Sequence, residues 1–357
     1  MALRRMPWHR RGAPRFLVGF AGWALSGEAM RDGRLQGRAL WVVLAALAAL
    51  PAAGCVSLSL LPGAPGALEE TVVHGDRGPK ILLIRVDGVI RESSPQPRSA
   101  FSRRDESSVA RLREELDRAR DDPEVRALLL RINSPGGSAT ASDIMYSEIL
   151  RFKAERDIPV VAQLMGVATS GGYYIAMAAD RVIAHPTTVT GSIGVIFLSV
   201  NLVGLMKKLG IEDQTLVAGA QKDAASPLRR MTPAERERIQ AVLDGLHRRF
   251  KGVVAEGRQL EAGRVDSVAD GGIFGADEAL ALGLVDQIGE LEDAVAAAEQ
   301  AAGIATSRVV SYHRPREWRQ NLYTGPLVPT TVRLELAMPL PRLDGPAFLY
   351  LWAPGAP

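Results

Sequence analysis

Ile158–Asp180 reads IPVVAQLMGVATSGGYYIAMAAD. Its first nine residues, Ile158–Gly166, are an apolar run of strand length, and GGYYIAMAAD suits a helix of small residues. A strand that passes through a glycine turn into a helix is the building unit of a parallel α/β sheet. The same unit occurs upstream, where VRALLLRI (Val125–Ile132) closes on the loop NSPGGS and a helix follows over Ser142–Lys153. Working outward, KILLIRVDGVI (Lys80–Ile90) predicts a buried strand. SSVARLREELDRARDDP predicts an amphipathic helix with a serine start and a stop at Pro123. RVIAHP reads as a short strand, Leu202–Leu209 as a short helix and Ile211–Val217 as a strand. A long charged helix begins at Thr232, and an alanine-rich helix spans Glu290–Ala302. Strands and helices alternate without an internal repeat, so the expected class is α/β with largely parallel strands and a single copy of the fold.

The chain has 357 residues and a pI near 9.1, but the basic charge is localised. Residues 1–38 carry eight arginines against Glu28 and Asp32, while the rest carries 35 basic and 38 acidic residues. The body is therefore slightly acidic, which argues against nucleic acid as a partner.

Arg31, Arg34 and Arg38 precede the uncharged run ALWVVLAALAALPAAGC (Ala39–Cys55), which ends in small residues before the only cysteine. This is the pattern of a secretory signal, and its end resembles a bacterial lipoprotein signal with Cys55 as the lipidated residue. The uncharged run continues to Leu61, giving 23 residues, so an uncleaved membrane anchor is the alternative. A buried core helix is the third reading. Either of the first two places the body on the extracytoplasmic, periplasmic side of the cytoplasmic membrane, because the arginines stay inside. The expected organisation is a mis-assigned extension over 1–29 with Met30 the start, a signal or anchor over 30–55 and a linker over 56–78. A catalytic domain over 79–305 and a proline-rich tail over 306–357 follow. The tail is expected to wrap the surface or to reach a neighbour.

The two glycine loops stand at the carboxyl ends of strands, where open α/β sheets bind ligands. Amide hydrolysis builds negative charge on a carbonyl oxygen, and two converging backbone N–H groups stabilise it. Gly136 or Gly137 can supply one and Gly171 the other. Ser170 reads either as a nucleophile or as a helix N-cap in an ordinary turn. None of the histidines, His9, His74, His185, His247 and His313, is marked as its base, and His185 suits a solvated strand end. Only six of the 43 basic residues are lysines, and arginine cannot lose its proton. Lys222, in the loop VAGAQKDAASP, is either a base, which needs burial to shed its charge, or an exposed loop lysine beside Asp223.

Five segments in order, NSPGG, MGVATSGGYYIAMAAD, TVTGSIGV, AGAQKDAASP and GGIFGADEALALGLVDQIG, resemble the short bacterial form of the signal peptide peptidase family of the SppA type. The resemblance covers Lys80 to about Gly303. It implies a Clp-protease/crotonase-like fold, a repeated β-β-α superhelix, and a serine–lysine peptidase that uses no metal and no cofactor. It places the nucleophile on Ser170, the general base on Lys222 and a supporting hydroxyl on Ser192. The oxyanion donors fall on Gly136 or Gly137 and on Gly171. Thr169, Ala218 and Gln221 depart from the commoner family residues without touching those positions. With one copy of the fold, the resemblance implies a homo-oligomeric ring in which Ser170 of one subunit meets Lys222 of its neighbour. The implied function is a membrane-associated, ATP-independent endopeptidase acting on hydrophobic peptides such as remnant signal peptides. The alternatives are a crotonase-like acyl-CoA enzyme, which a secretory leader disfavours, and a catalytically inactive peptide-binding scaffold.

Overall fold

The computed structural model describes residues 67–92, 107–315, 321–322 and 348–352. Cys55 and the expected signal or anchor segment lie outside the described residues, as does most of the tail.

From the amino end come β1 (Glu69–His74), β2 (Lys80–Asp87), α1 (Ser108–Arg120), β3 (Val125–Ser134), β4 (Gly136–Ser138) and α2 (Ala139–Arg156). Then follow β5 (Val160–Thr169), α3 (Gly171–Ala176), β6 (Arg181–Ala184), β7 (Val189–Gly191), β8 (Ile196–Phe197) and α4 (Val203–Leu209). The remainder is α5 (Pro233–Arg258), α6 (Ala262–Val268), β9 (Ile273–Gly275), α7 (Ala276–Ala281), β10 (Gln287–Ile288), α8 (Leu291–Ala302), β11 (Arg308–His313) and β12 (Phe348–Leu351).

Local chemistry sets the helix starts. Ser107 Oγ accepts from the Ala110 N–H at the head of α1, and Ser138 Oγ accepts from the Ala141 N–H at the head of α2. The Ser138 cap starts α2 three residues ahead of the expected Ser142. At α5, Thr232 and Glu235 close a capping box with Pro233 in the first turn.

The main sheet runs β1-β11-β2-β3-β5-β6-β10, with β7 pairing β5 and β9 pairing β7. All of its ladders except β1–β11 and β7–β9 are parallel, as expected for an α/β chain. Alternation along each strand sends side chains to opposite faces. Leu82, Ile84, Leu128, Leu130, Ile132, Val160, Ala162 and Leu164 join one core with residues of α1, α2 and α3. Ile81, Leu83, Ala127, Leu129 and Val161 face the other way and pack against Leu291, Ala294 and Ala298 of α8. With both faces covered, the central strands read as continuous apolar runs, as parallel strands do.

Three elements differ from the sequence reading. β1 lies within the expected linker and β11 within the expected tail, and the two pair antiparallel with β11 lying beside β2. The main sheet therefore extends past both ends of the 79–305 span. Ile211–Val217 forms no strand, and Ile211, Leu216 and Val217 are exposed. Between its apolar ends stand Glu212, Asp213, Gln214 and Thr215, so the segment has no apolar face to bury. Finally, β12 comes from the proline-rich tail and completes a second, three-stranded sheet in the order β4-β12-β8.

Leu129 is fully buried between β3 and α8. Leu129→Ala leaves a cavity there and should lower the unfolding free energy by about 2–5 kcal/mol, measured by denaturant titration.

Candidate active site

β5 runs on to Thr169, past the expected end at Gly166, so Ser170 follows directly from the sheet. Its backbone adopts φ 52° and ψ −116°, a conformation that L-residues other than glycine rarely take. Ser170 stands at the N-cap position of α3, but its side chain makes no capping hydrogen bond. The capping reading of Ser170 therefore does not describe this turn. The backbone holds the strain instead: the Ser170 N–H donates to the Gly191 carbonyl at 2.8 Å, and the Ser170 carbonyl accepts from the Tyr174 N–H at 2.8 Å. A serine on a strained strand-to-helix turn, 1% exposed and with no hydrogen bond from its hydroxyl among the described residues, has the geometry of a nucleophile elbow.

The parallel ladder between β3 and β5 ends with Ser134 opposite Ala168, so the loop Pro135–Gly137 arrives beside Ser170. Gly136 has φ 96°, where a side chain is strained. Its N–H donates to Ser134 Oγ at 3.1 Å, and Ser134 Oγ donates to the Gly88 carbonyl at 2.6 Å. Of the two sequence candidates in this loop, Gly136 thus has its N–H committed and Gly137 is better placed to donate outward. A Cβ on Gly136 would lie 2.7 Å from Gly171 N and 1.9 Å from the Tyr350 carbonyl oxygen. Gly136, Gly171 and Tyr350 therefore crowd one point.

Tyr350 belongs to β12, which lies antiparallel on β4 with Leu351 opposite Gly136, Tyr350 opposite Gly137 and Leu349 opposite Ser138. The Trp352 N–H donates to the Pro135 carbonyl at 2.8 Å. Hydrogen-bonding pairs alternate along such a ladder, so Tyr350 and Gly137 form the next one. The other side of β12 pairs with β8. A peptide strand lies across the glycine loop, and sequence reasoning missed it.

Ser192 comes next to Ser170 through β7, which runs parallel to β5 with Gly191 opposite Thr169. Ser192 is nearly buried with φ 51°, and its N–H donates to the Gly272 carbonyl at 2.6 Å. A Cβ on Gly191 would lie 2.6 Å from Phe274 Cδ2. The segment GGIFG, recognisable in the sequence only as part of a resemblance, is therefore the buttress that holds the Ser192 turn.

Ser170, Ser192, Gly136, Gly137 and Gly171 are brought together, and Lys222 is not. Lys222 is exposed in a turn closed by its N–H to the Gly219 carbonyl at 3.0 Å, and no contact joins it to Ser170 within this chain. Lys80, Lys153 and Lys251 each hold a carboxylate, whereas Lys222 holds none among the described residues. Asp223, next to it, turns instead to Arg229, which also pairs with Glu235 at the head of α5. The Lys222 turn is thereby pinned to the long helix. The segment around it exposes Leu198, Leu205, Leu209, Ile211, Leu216 and Val217. His185 pairs with Glu290 at 3.1 Å and with Thr187, and it has no contact with Ser170.

Residues 153–305 match the family model of peptidase family S49, a span that includes Ser170, Ser192 and Lys222. Among curated proteins, the chain is 36% identical over 244 residues to a protein of Enterococcus faecium that bears the name signal peptide peptidase SppA. That match covers 68% of this chain and 70% of the relative. Protease 4 of Salmonella typhi is 31% identical over 64% of this chain and 35% of its own length. The chloroplastic serine protease SPPA of Arabidopsis thaliana is 35% identical over 65% of this chain and 34% of its own.

The Arg229 guanidinium, donating to Glu235, together with the Thr232 N–H, holds the Glu235 carboxyl down at about 2. Such a lowered carboxyl stabilises the fold above its ordinary value of 4.5, and the contribution is lost as the pH falls through about 2. Amide exchange over residues 219–235, corrected for intrinsic rate, should therefore rise as the pH falls from 4.5 towards 2. Arg229→Ala should show the raised exchange already at neutral pH.

Proposed function

The chain belongs to peptidase family S49, the signal peptide peptidases of the SppA type, and we propose that it is a serine endopeptidase working through a Ser170–Lys222 dyad. The observation that carries this reading is the strained, uncapped Ser170 at the point where the backbones of Gly136 and Gly171 crowd together. In the proposed reaction, neutral Lys222 takes the Ser170 Oγ proton as the oxygen attacks the scissile carbonyl. Gly137 and Gly171 N–H groups receive the developing oxyanion. The lysine then gives its proton to the leaving amine, and water hydrolyses the acyl-enzyme with the same base. Ser192 orients the lysine.

Lys222 reaches a serine by crossing to a neighbouring copy in a homo-oligomeric ring. Its exposure, its lack of a carboxylate partner among the described residues and the apolar surface around it support this. Packing against a neighbour removes water from the ammonium, which is the condition for a neutral lysine. The chain fold is proposed as a Clp-protease/crotonase-like superhelix. The substrates are hydrophobic peptides bound extended, remnant signal peptides among them. The body is held at the extracytoplasmic face of the cytoplasmic membrane by residues 30–55, as a lipoprotein through Cys55 or as a single-pass anchor.

Ser170→Ala and Lys222→Ala should each abolish hydrolysis of a fluorogenic peptide, by at least a hundredfold, while retaining assembly. Mixing the two variants should restore activity, because sites that pair an intact serine with an intact lysine re-form. Failure of the mixture, with each variant assembled, sinks the crossed dyad. Separately, incorporation of labelled palmitate that Cys55→Ser abolishes decides for the lipid anchor, and its absence decides for the helix.

A further inference from the structure

One strand edge near the site is left open. β9 pairs with β7 and, among the described residues, with no other strand, although the ladder β5-β7-β9 ends beside Ser170. The bond from the Ser192 N–H to the Gly272 carbonyl marks those two as a hydrogen-bonding pair, and such pairs alternate along an antiparallel ladder. Ile273, the next residue and the one opposite Gly191, therefore turns its own N–H and carbonyl away from β7, towards the open side. Ile273 is also 43% exposed.

The same chain holds a strand former with no edge to join. Residues 211–220 are exposed at every position, Leu216 at 96%. The Thr215 N–H folds back to Asp213 Oδ1 at 3.0 Å, and beyond it Leu216 and Val217 make no backbone hydrogen bond among the described residues. Thr215, Leu216 and Val217 include two β-branched residues, which suit an extended backbone. Lys222 follows Val217 by five residues. That length reaches at most about 17 Å along the backbone. A strand added to β9 lies three strand spacings from β5, about 14 Å. The lysine on such a strand therefore comes within range of Ser170.

We propose that residues 215–217 of each copy pair as a strand on the open edge of β9 in a neighbouring copy, and that this added strand delivers Lys222 to the neighbour's serine. Its direction is fixed by the site. β5 and β7 run in parallel to end at Ser170 and Ser192, so a strand that carries Lys222 beyond its carboxyl end must run with them. It is then antiparallel to β9, with Val217 opposite Ile273 and the two outward groups of Ile273 answered by the Val217 amide and carbonyl. Strand addition of this kind takes its affinity from backbone hydrogen bonds. Each copy gives a segment and receives one on a different surface, the head-to-tail contact from which rings are built. The catalytic meaning rests on the crossed Ser170–Lys222 dyad, but the pairing is read without hydrolysis.

Cross-linking tests it on the full chain carrying Cys55→Ser, which leaves no other thiol. Opposed residues of a hydrogen-bonding antiparallel pair stand about 5.5 Å apart at Cα, within disulfide reach. Val217→Cys and Ile273→Cys together should therefore join copies on mild oxidation, seen as multiples of the chain mass on a non-reducing gel, and either cysteine alone should not. No link between copies, or a link confined to one chain, overturns the proposal. In a second arm, Val217→Pro removes the donating amide from an exposed segment where that amide has no partner among the described residues. The concentration for half-assembly, read by analytical ultracentrifugation, should rise by roughly tenfold. Val217→Thr keeps the amide and the branched shape and should assemble like the parent. Equal assembly of the two variants, with unchanged thermal melting, rejects backbone pairing. A link that forms while mixed Ser170→Ala and Lys222→Ala chains stay inactive upholds the pairing and sinks the dyad, and the reverse result upholds the dyad and sinks the pairing.

Discussion

The hydrogen bond from the Ser170 N–H to the Gly191 carbonyl is the constraint on which the site depends. A serine at φ 52° sits in a conformation costing roughly 1–3 kcal/mol, and it persists only where neighbours over-determine it. Here β7 does so: it extends the β5 ladder to Thr169, receives the Ser170 amide and is itself braced by β9. Released from that bond, the turn could relax and the hydroxyl could fold back onto the first turn of α3. The strain keeps the serine from serving as an ordinary cap.

Much of this was legible in the residues. The buried strands and their glycine loops announced a parallel sheet because runs such as VRALLLRI have no polar face to offer solvent. The nearness of Ser170 to the glycines followed from the ends of those strands, whereas Ser192 was reached only through the family resemblance. Less legible were the contacts made far along the chain. RVVSYH in β11 alternates like a strand, but the loss of helical pattern after residue 305 hid its membership of the sheet. FLYL in β12 is four residues within a proline-rich stretch, and only the β4 and β8 edges tell it where to lie. Ile211–Val217 failed in the opposite sense, since its apolar ends raised a strand expectation that no edge among the described residues satisfies.

The two halves of the proposed chemistry are built differently. The serine half is buried, braced by the sheet and rigid in its turn. The lysine half is an exposed turn tied down at one point, through Asp223, Arg229 and Glu235, to the amino end of α5. α5 also carries Leu246 and Phe250, so one helix both anchors the lysine turn and packs on Tyr350. A shift of α5 would therefore move the packing around Tyr350 and the Lys222 turn together.

The ends of the main sheet bear on whether another molecule can add a strand to it. One edge is β1, six residues long and carrying Glu69 and Glu70, the latter paired with Lys80. The other is β10, only two residues long. A charged short strand and a stub are poor templates for backbone pairing with another molecule. Among the described residues, fibre-like growth by strand addition is thus blunted at β1 and at β10, the two ends of the main strand path.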